Sequence, residues 1–550
     1  MTNENFPLLG ELPARAAERW PHQEAMVWAT GSMDYVELDG RIDKVACGLM
    51  RLGVTAGDKV GLLAGNGPEY VVAIFALWRI RAVAVPLNLR YREADLVDVV
   101  RRGECTLLIM TGRAGPIDFA DLIRRSLAAD LEQGNLRTVV IGDGCLPGSV
   151  AWPALEGGDY SSAEWRALSD RRAACTASDL ALIVFTSGTT GRPKGVMHDH
   201  SCVRGVRDRA RMWGVKPGET AINYLPMFHL YSLSEVILQC VFGGCRQVIM
   251  ERFDADAALD AIERESVNII HGFETHYADL LNRQAERPRN VRSLRFGTLP
   301  SGMDTSAAVA VQVQRVFCPT VTGTSLSESW SWMCTCAPDE PEDVRCYSSG
   351  RPLPGLEVRL VDPATDKDVP IGTPGEMWFR GYSIMKGYLG DPRATADTID
   401  ADGWLHSGDQ GVMRADGFLR FTGRYKEMLK VGGENVSPQG VEQALSELVG
   451  EILQVAVVGV PHERLVEVPV AYVVLRDGAA ITEEAILSAC KGKIASFKIP
   501  RRAVIVDALP QTASGKIQRG LIRKRAIEEL SLRDEPRFFG LSGEGEGHAT

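Results

Sequence analysis

The stretch that decides the fold is Leu180-Ala-Leu-Ile-Val-Phe-Thr-Ser-Gly-Thr-Thr-Gly-Arg-Pro-Lys-Gly195. Its first six residues are apolar and rich in strand formers, the pattern of a strand buried on both faces of a sheet. Three glycines and four hydroxyl residues fall within the ten that follow. Gly188, Gly191 and Gly195 let a backbone approach a phosphate closely. The hydroxyls of Thr186, Ser187, Thr189 and Thr190, with the exposed amides, can donate to its oxygens, and Lys194 adds a positive charge. The loop is not the Gly-Lys-Ser/Thr type, because Pro193-Lys194-Gly195 stands where that type needs Lys followed by a hydroxyl. A buried strand running into a phosphate-binding turn is an α/β signature.

Working outward, the alternation continues. KVGLLAG (59–65) precedes the helical PEYVVAIFALWRI (68–80), and VNIIHGF (267–273), VRLV (358–361) and EMWFR (376–380) read as further strands. This predicts a mixed α/β fold with sheets covered by helices. Gly65-Asn-Gly67 lacks the third Gly of a dinucleotide fingerprint and reads as an ordinary strand-to-helix turn. The chain of 550 residues is too long for one core. The best boundary lies around Phe421–Leu429, where a charged stretch follows a strand and Gly432-Gly433 interrupts the chain again. The expected layout is a large N-terminal region over 1–424, a small α+β lid over 425–535, and a polar, Gly-rich tail over 536–550.

Composition narrows the function. A net charge of −10 argues against nucleic acid as the main partner. The apolar run Tyr70–Trp78 is stopped by Arg79, far short of a membrane span. The start reads as no secretion signal, and twelve cysteines fit reduced thiols, so a cytoplasmic protein is expected. Cys334, Cys336 and Cys346 have poor spacing for zinc.

Six further segments complete the picture: LPMFHL (225–230), GTSLSE (323–328), GEMWFRGYSIMKGY (375–388), GWLHSGD (403–409), GRYKEMLKVGGENVSP (423–438) and PQTASGKIQR (510–519). With the phosphate loop, these resemble in kind and order the adenylate-forming superfamily of acyl-CoA synthetases, luciferases and nonribosomal adenylation enzymes. LPMFHLYSL most resembles hydroxycinnamate:CoA ligases and related bacterial acyl-CoA synthetases. The resemblance implies an ATP-dependent acid–thiol ligase. A carboxylic acid and ATP give acyl-AMP and pyrophosphate, and CoA then takes the acyl group. An aryl, arylalkenoic or functionalised fatty acid is expected, and a homodimer is left open. A separate carrier protein as thiol donor, or a retired nucleotide-binding scaffold, are the rival readings.

The resemblance assigns roles by position. Lys516 would bridge carboxylate and α-phosphate during adenylation, where a positioned ammonium stabilises the charge that builds. Asp409 would accept the ribose hydroxyls, and Arg424 would contact ribose and phosphate. Glu328, with Thr186, would hold Mg²⁺, a hard cation that takes oxygen ligands. Lys426 would be the hinge about which the lid rotates. Lys430, Asn435 and the Gly432-Gly433 backbone would shape the thiol half-reaction, and His229 would gate thiol access. Thr324 and Ser325 depart from the family's adenine-stacking aromatic and Gly, which throws adenine binding onto the backbone around Ser301-Gly302-Met303. The acyl pocket would be lined by Tyr231, Glu235, Phe273, Glu274 and His276. Tyr231 and Glu235 are four apart, hence on one helix face. A buried Glu235 needs a donor from a neighbour or the substrate, or else turns outward or pairs with His271 or His276.

Overall fold

The computed structural model describes residues 6–91, 93–115, 117–144, 146–186, 193–300, 304–425, 428–431, 434–462, 465–491, 493–494, 496–511 and 517–531. By its internal contacts the chain divides into two units, Met1–Tyr425 and Lys426–Thr550.

Two seven-stranded sheets dominate the first unit. One runs Lys194–Asp199, Leu180–Thr186, Val83–Pro86, Lys59–Leu63, Cys105–Thr111, Arg137–Ile141, Val150–Ala151. It is parallel throughout, except that Lys194–Asp199 closes its edge antiparallel to Leu180–Thr186. The other runs Thr320–Val321, Phe296–Thr298, Ile269–His271, Thr220–Asn223, Arg246–Ile249, Glu24–Trp28, Gly31–Asp34, with only the final hairpin antiparallel. Parallel strands need covering on both faces, and the sequence supplies the cover. The helix Pro68–Arg79 buries every residue except Glu69, the mark of a helix apolar on all sides. Its closing Arg79 is fully enclosed yet satisfied, by Asp39 at 2.5 Å and Asp43 at 2.6 Å. The residue that ends the apolar run therefore anchors the helix to its neighbour Tyr35–Arg51.

The rest of this unit is antiparallel. A five-stranded sheet runs Lys367–Asp368, Leu356–Asp362, Gly375–Gly381, Leu405–Met413, Leu419–Arg424, and a three-stranded one Gly323–Leu326, Ser331–Thr335, Arg351–Pro352.

In the second unit the long hairpin Ile452–His462 and Val466–Leu475 is flanked by Leu429–Val431 with Glu434–Val436 and by the parallel Ala503–Ile505. The two-residue period of the strand is visible in its packing. Val455 and Val457 enter the core shared with the helix Pro438–Leu448, while Ala456, Val458 and Val460 enter a second core with Ile522 and Ala526. Among the described residues no helix is long and apolar enough to cross a membrane.

Candidate active site

Thr186 ends its strand directly opposite Lys194 across the antiparallel edge. Ser187, Gly188, Thr189, Thr190 and Gly191 lie outside the described residues, as do Ser301, Gly302, Lys426, Gly432, Gly433 and Lys516. Lys194 Nζ stands 4.6 Å above the Tyr388 ring, and the Tyr388 hydroxyl donates to Glu328 Oε1 at 2.8 Å. A cation, a phenol and a carboxylate are thus strung together where the phosphate-loop strand ends. Burial, and then the Glu328 charge, push the Tyr388 phenol up, so it stays a donor.

The turn that carries Glu328 is held from both sides. Met385 N donates to the Glu328 carbonyl at 2.8 Å, and His198, on the strand after Lys194, pairs through Nε2 with the Ser327 carbonyl at 2.7 Å. Burial depresses His198 to about 4, so near neutrality it is the uncharged ring that donates here. The next two residues, Trp330 and Ser331, have φ of 54° and 72°. That left-handed backbone costs about 1–2 kcal/mol per non-glycine residue. Thr324 is buried, its hydroxyl 3.4 Å from the Ser349 carbonyl, and Ser325 is exposed.

Asp409 is positioned by an irregular ladder. Glu376 faces Gln410 and Trp378 faces His406, so Met377 alone spans Ser407, Gly408 and Asp409. Bulges of this kind re-aim side chains beside functional sites. Asp409 is 4% exposed, and its backbone pairs with Arg424 on the next strand. Lys430 and Asn435 face each other across the hairpin Leu429–Val431/Glu434–Val436.

The Leu225-Pro-Met-Phe-His229 loop is bolted to Asn66. Its amide donates to the carbonyls of Leu225 (2.9 Å) and Met250 (3.1 Å) and accepts from Met227 N at 2.9 Å. By its sequence the Gly65-Asn-Gly67 turn is an ordinary strand-to-helix turn. The signal it held was a side chain able to donate and accept at once, set between two glycines. His229 is half-buried beside the Phe228 ring (4.6 Å) and directly precedes the helical turn Leu230–Ser232.

Beyond it an aromatic group gathers. Tyr231 lies nearly parallel to Trp332 (6.2 Å, 21°) and edge-on to Phe273 (5.1 Å). Its hydroxyl is 2.7 Å from Thr298 Oγ1, which is also 2.6 Å from His271 Nδ1. His276 accepts from Phe273 N at 3.2 Å and stacks on Tyr224 at 5.6 Å. Burial lowers His271 to about 3 and His276 to about 4. Glu274 is half-buried in the first turn of Glu274–Glu286, where an acidic residue suits the helix dipole.

Glu235 is fully buried, and its donor is a neighbour rather than either histidine: Arg209 Nε stands 2.6 Å from Oε2. The expectation of a pairing with His271 or His276, or of an outward turn, is thereby corrected. Arg209 also donates to Ser234 Oγ (2.7 Å) and the Trp332 carbonyl (2.9 Å). Burial pushes the Glu235 carboxyl up while Arg209 opposes it. The segment Leu233–Leu238 is π-helical, so a simple four-residue face does not describe it. The run Val203-Arg-Gly-Val-Arg-Asp-Arg-Ala-Arg-Met212 looks like a solvated face, and its sequence alone does not single out Arg209. Its place three residues after Val206, beside Ala210, put it on the buried stripe.

These features meet known proteins in one place. A sequence-family model described as "AMP-binding enzyme" matches residues 13–389, and one described as "AMP-binding enzyme C-terminal domain" matches 440–516. The chain is 34% identical over 518 residues to the 3-[(3aS,4S,7aS)-7a-methyl-1,5-dioxo-octahydro-1H-inden-4-yl]propanoyl:CoA ligase of Rhodococcus jostii (strain RHA1), covering 93% of this chain and 97% of that protein. It is 32% identical over 522 residues to a feruloyl-CoA synthase of an Amycolatopsis species, covering 94% and 99%. Among solved structures, the anthranilate CoA ligase AuaEII with anthranoyl-AMP superposes with a TM-score of 0.84 at 25% identity, over 96% of this chain and 100% of that one. On these matches, the chain belongs to the AMP-binding enzyme family of adenylate-forming acyl-CoA synthetases.

Proposed function

We propose that the protein is an ATP-dependent carboxylic acid:CoA ligase acting in two steps. The acid's carboxylate oxygen attacks the α-phosphorus of ATP and pyrophosphate leaves; the CoA sulfur then attacks the acyl carbonyl and AMP leaves. The observation that carries this reading is the Lys194–Tyr388–Glu328 chain at the end of the phosphate-loop strand. It sets a cation for phosphate oxygens beside a carboxylate suited to a metal. Glu328 and Thr186 would hold Mg²⁺, which when bound offsets charge on the departing pyrophosphate. The fit is reasonable, because Mg²⁺ keeps waters and takes phosphate oxygens rather than a full protein cage. Among the described residues no group of three or more His, Cys, Asp or Glu forms such a cage.

Asp409 would accept the ribose hydroxyls and Arg424 would reach ribose and phosphate. Lys516 would serve the first step, and rotation of the 425–535 lid about Lys426 would bring Lys430 and Asn435 into play for the second. His229 would gate the thiol. For the acid, an aryl, arylalkenoic or functionalised fatty acid is proposed; the half-buried Phe273, edge-on to the buried Tyr231, is the ring of this group on which a flat chain would stack. Glu235 needs no donor from the substrate, since Arg209 meets its charge.

The test is AMP release with MgATP and a panel of aryl, arylalkenoic, short-, medium- and long-chain acids, with and without CoA. Acid-dependent AMP release that CoA accelerates, and that is fastest with aryl acids, is expected. No response to any acid would refute the enzyme reading; acyl transfer only to an added carrier protein would refute CoA.

A further inference from the structure

The residue before Asp409 is held by a side chain from the neighbouring strand. In the irregular ladder described above, the three residues opposite Met377 cannot pair regularly with its strand, so the polar groups on that side need other partners. Gly408 N donates to Glu376 Oε1 at 2.8 Å, Asp409 N donates to Ser407 Oγ at 3.0 Å, and Ser407 Oγ donates to the Met377 carbonyl at 2.5 Å. Gly408 has φ of 69°, a left-handed conformation that glycine adopts without steric cost, so the residue's own preference does not fix the turn and its hydrogen bonds must. The contact to Glu376 joins a carboxylate to a backbone amide, the stronger kind of hydrogen bond. It holds the Ser407–Gly408 peptide, one residue before Asp409.

We propose that Glu376 is a positioning residue for Asp409. By holding Gly408, it sets the direction of the Asp409 carboxylate and so the enzyme's selectivity for a ribose that carries both hydroxyls. This inference rests on the assignment of Asp409 to the ribose diol. The backbone pairing of Glu376 with Val361 and Gln410 uses main-chain atoms and survives substitution, which separates its side chain's role from that of the sheet.

The test compares kcat/KM for ATP with that for 2′-deoxy-ATP in acid-dependent AMP release. Glu376→Ala is expected to reduce the preference for ATP by about tenfold, the size of one charged hydrogen bond, through KM for ATP. Activity with 2′-deoxy-ATP, which keeps only the 3′-hydroxyl, should fall less. Glu376→Gln keeps an oxygen that can accept from Gly408 N and should keep the preference. Ser407→Ala, which frees Asp409 N, should move it in the same direction as Glu376→Ala, and serves if that variant folds poorly. Asp409→Ala is the control. If it loses the preference while Glu376→Ala and Ser407→Ala retain it, or if these two lower both nucleotides equally, positioning by Glu376 is overturned. If Asp409→Ala itself retains the preference, the ribose assignment fails first.

Discussion

Removing Glu235 isolates what the buried ion pair contributes. In Glu235→Leu the Arg209 guanidinium stays enclosed at 1% exposure with only two of its partners, Ser234 Oγ and the Trp332 carbonyl. Breaking a buried pair on one side typically destabilises by about 3–5 kcal/mol. The two remaining neutral acceptors retain about 1 kcal/mol each, which places the expected loss near the lower end, at about 3 kcal/mol. The double variant Arg209→Met/Glu235→Leu leaves no unpaired charge and should return to within about 1–2 kcal/mol of wild type.

Arg209→Met alone behaves differently, because the stranded group can take a proton. Burial raises the Glu235 carboxyl, and loss of Arg209 removes the force that opposed this. A carboxyl raised in the folded state is favourable below its unfolded value and loses that advantage as pH rises towards its folded value. The Arg209→Met penalty should therefore grow, by up to about 1.4 kcal/mol per pH unit, as pH rises above the ordinary carboxylate range, whereas Glu235→Leu has no carboxyl left to titrate and its penalty should show no such growth. Urea denaturation followed by tryptophan fluorescence reads all four proteins, with Trp332 adjacent to the pair. A double variant as unstable as Glu235→Leu, or a pH-independent Arg209→Met, would refute the reasoning.

Other outcomes follow from the proposed site and the buried histidines. Lys516→Ala should abolish acyl-AMP formation yet spare thioester formation from supplied acyl-AMP; equal loss in both half-reactions contradicts its assignment. Lys426→Pro, which fixes φ at the proposed hinge, should leave single-turnover adenylation near normal and cripple thioester formation; two normal rates would exclude Lys426 as pivot. His198, His200, His271 and His276 are held neutral, at about 4, 4, 3 and 4, by burial. The unfolded chain protonates them near 6.5, so stability is full above that pH and falls as pH drops towards 4, by up to about 1.4 kcal/mol per unit for each. His198→Gln should flatten that acid limb in urea titrations between pH 7 and 5; an unchanged slope argues that His198 is already protonated in the native state.

Much of the architecture was legible because local and global signals agree. LALIVFT and EMWFR are strands within a residue or so of their apolar runs, and PEYVVAIFALWRI is the enclosed helix its composition demands. What stayed hidden depended on partners distant in sequence. Arg209 and Glu235 are 26 residues apart, His198 and Ser327 129, and Asn66 and Leu225 159. Periodicity reports which face a residue occupies and is silent about which polar group waits there. Glu376 illustrates the limit: its segment was recognised, but the amide it holds exists only because the opposite strand is irregular.

The π-helical turn at Leu233–Leu238 changes how this family's sequences should be compared. A π-turn closes its hydrogen bonds over five residues rather than four, so it stands for one residue inserted into a regular helix. Insertions and deletions are ordinarily confined to loops. Here a one-residue deletion inside a helix would be accommodated by regularising the turn, and would swing the residues on one side of it by about 100° relative to those on the other. Arg209 would then face whatever side chain arrived in place of Glu235. A homologue lacking that residue should therefore also lack an arginine at the position of Arg209, so the two changes would be inherited as a pair.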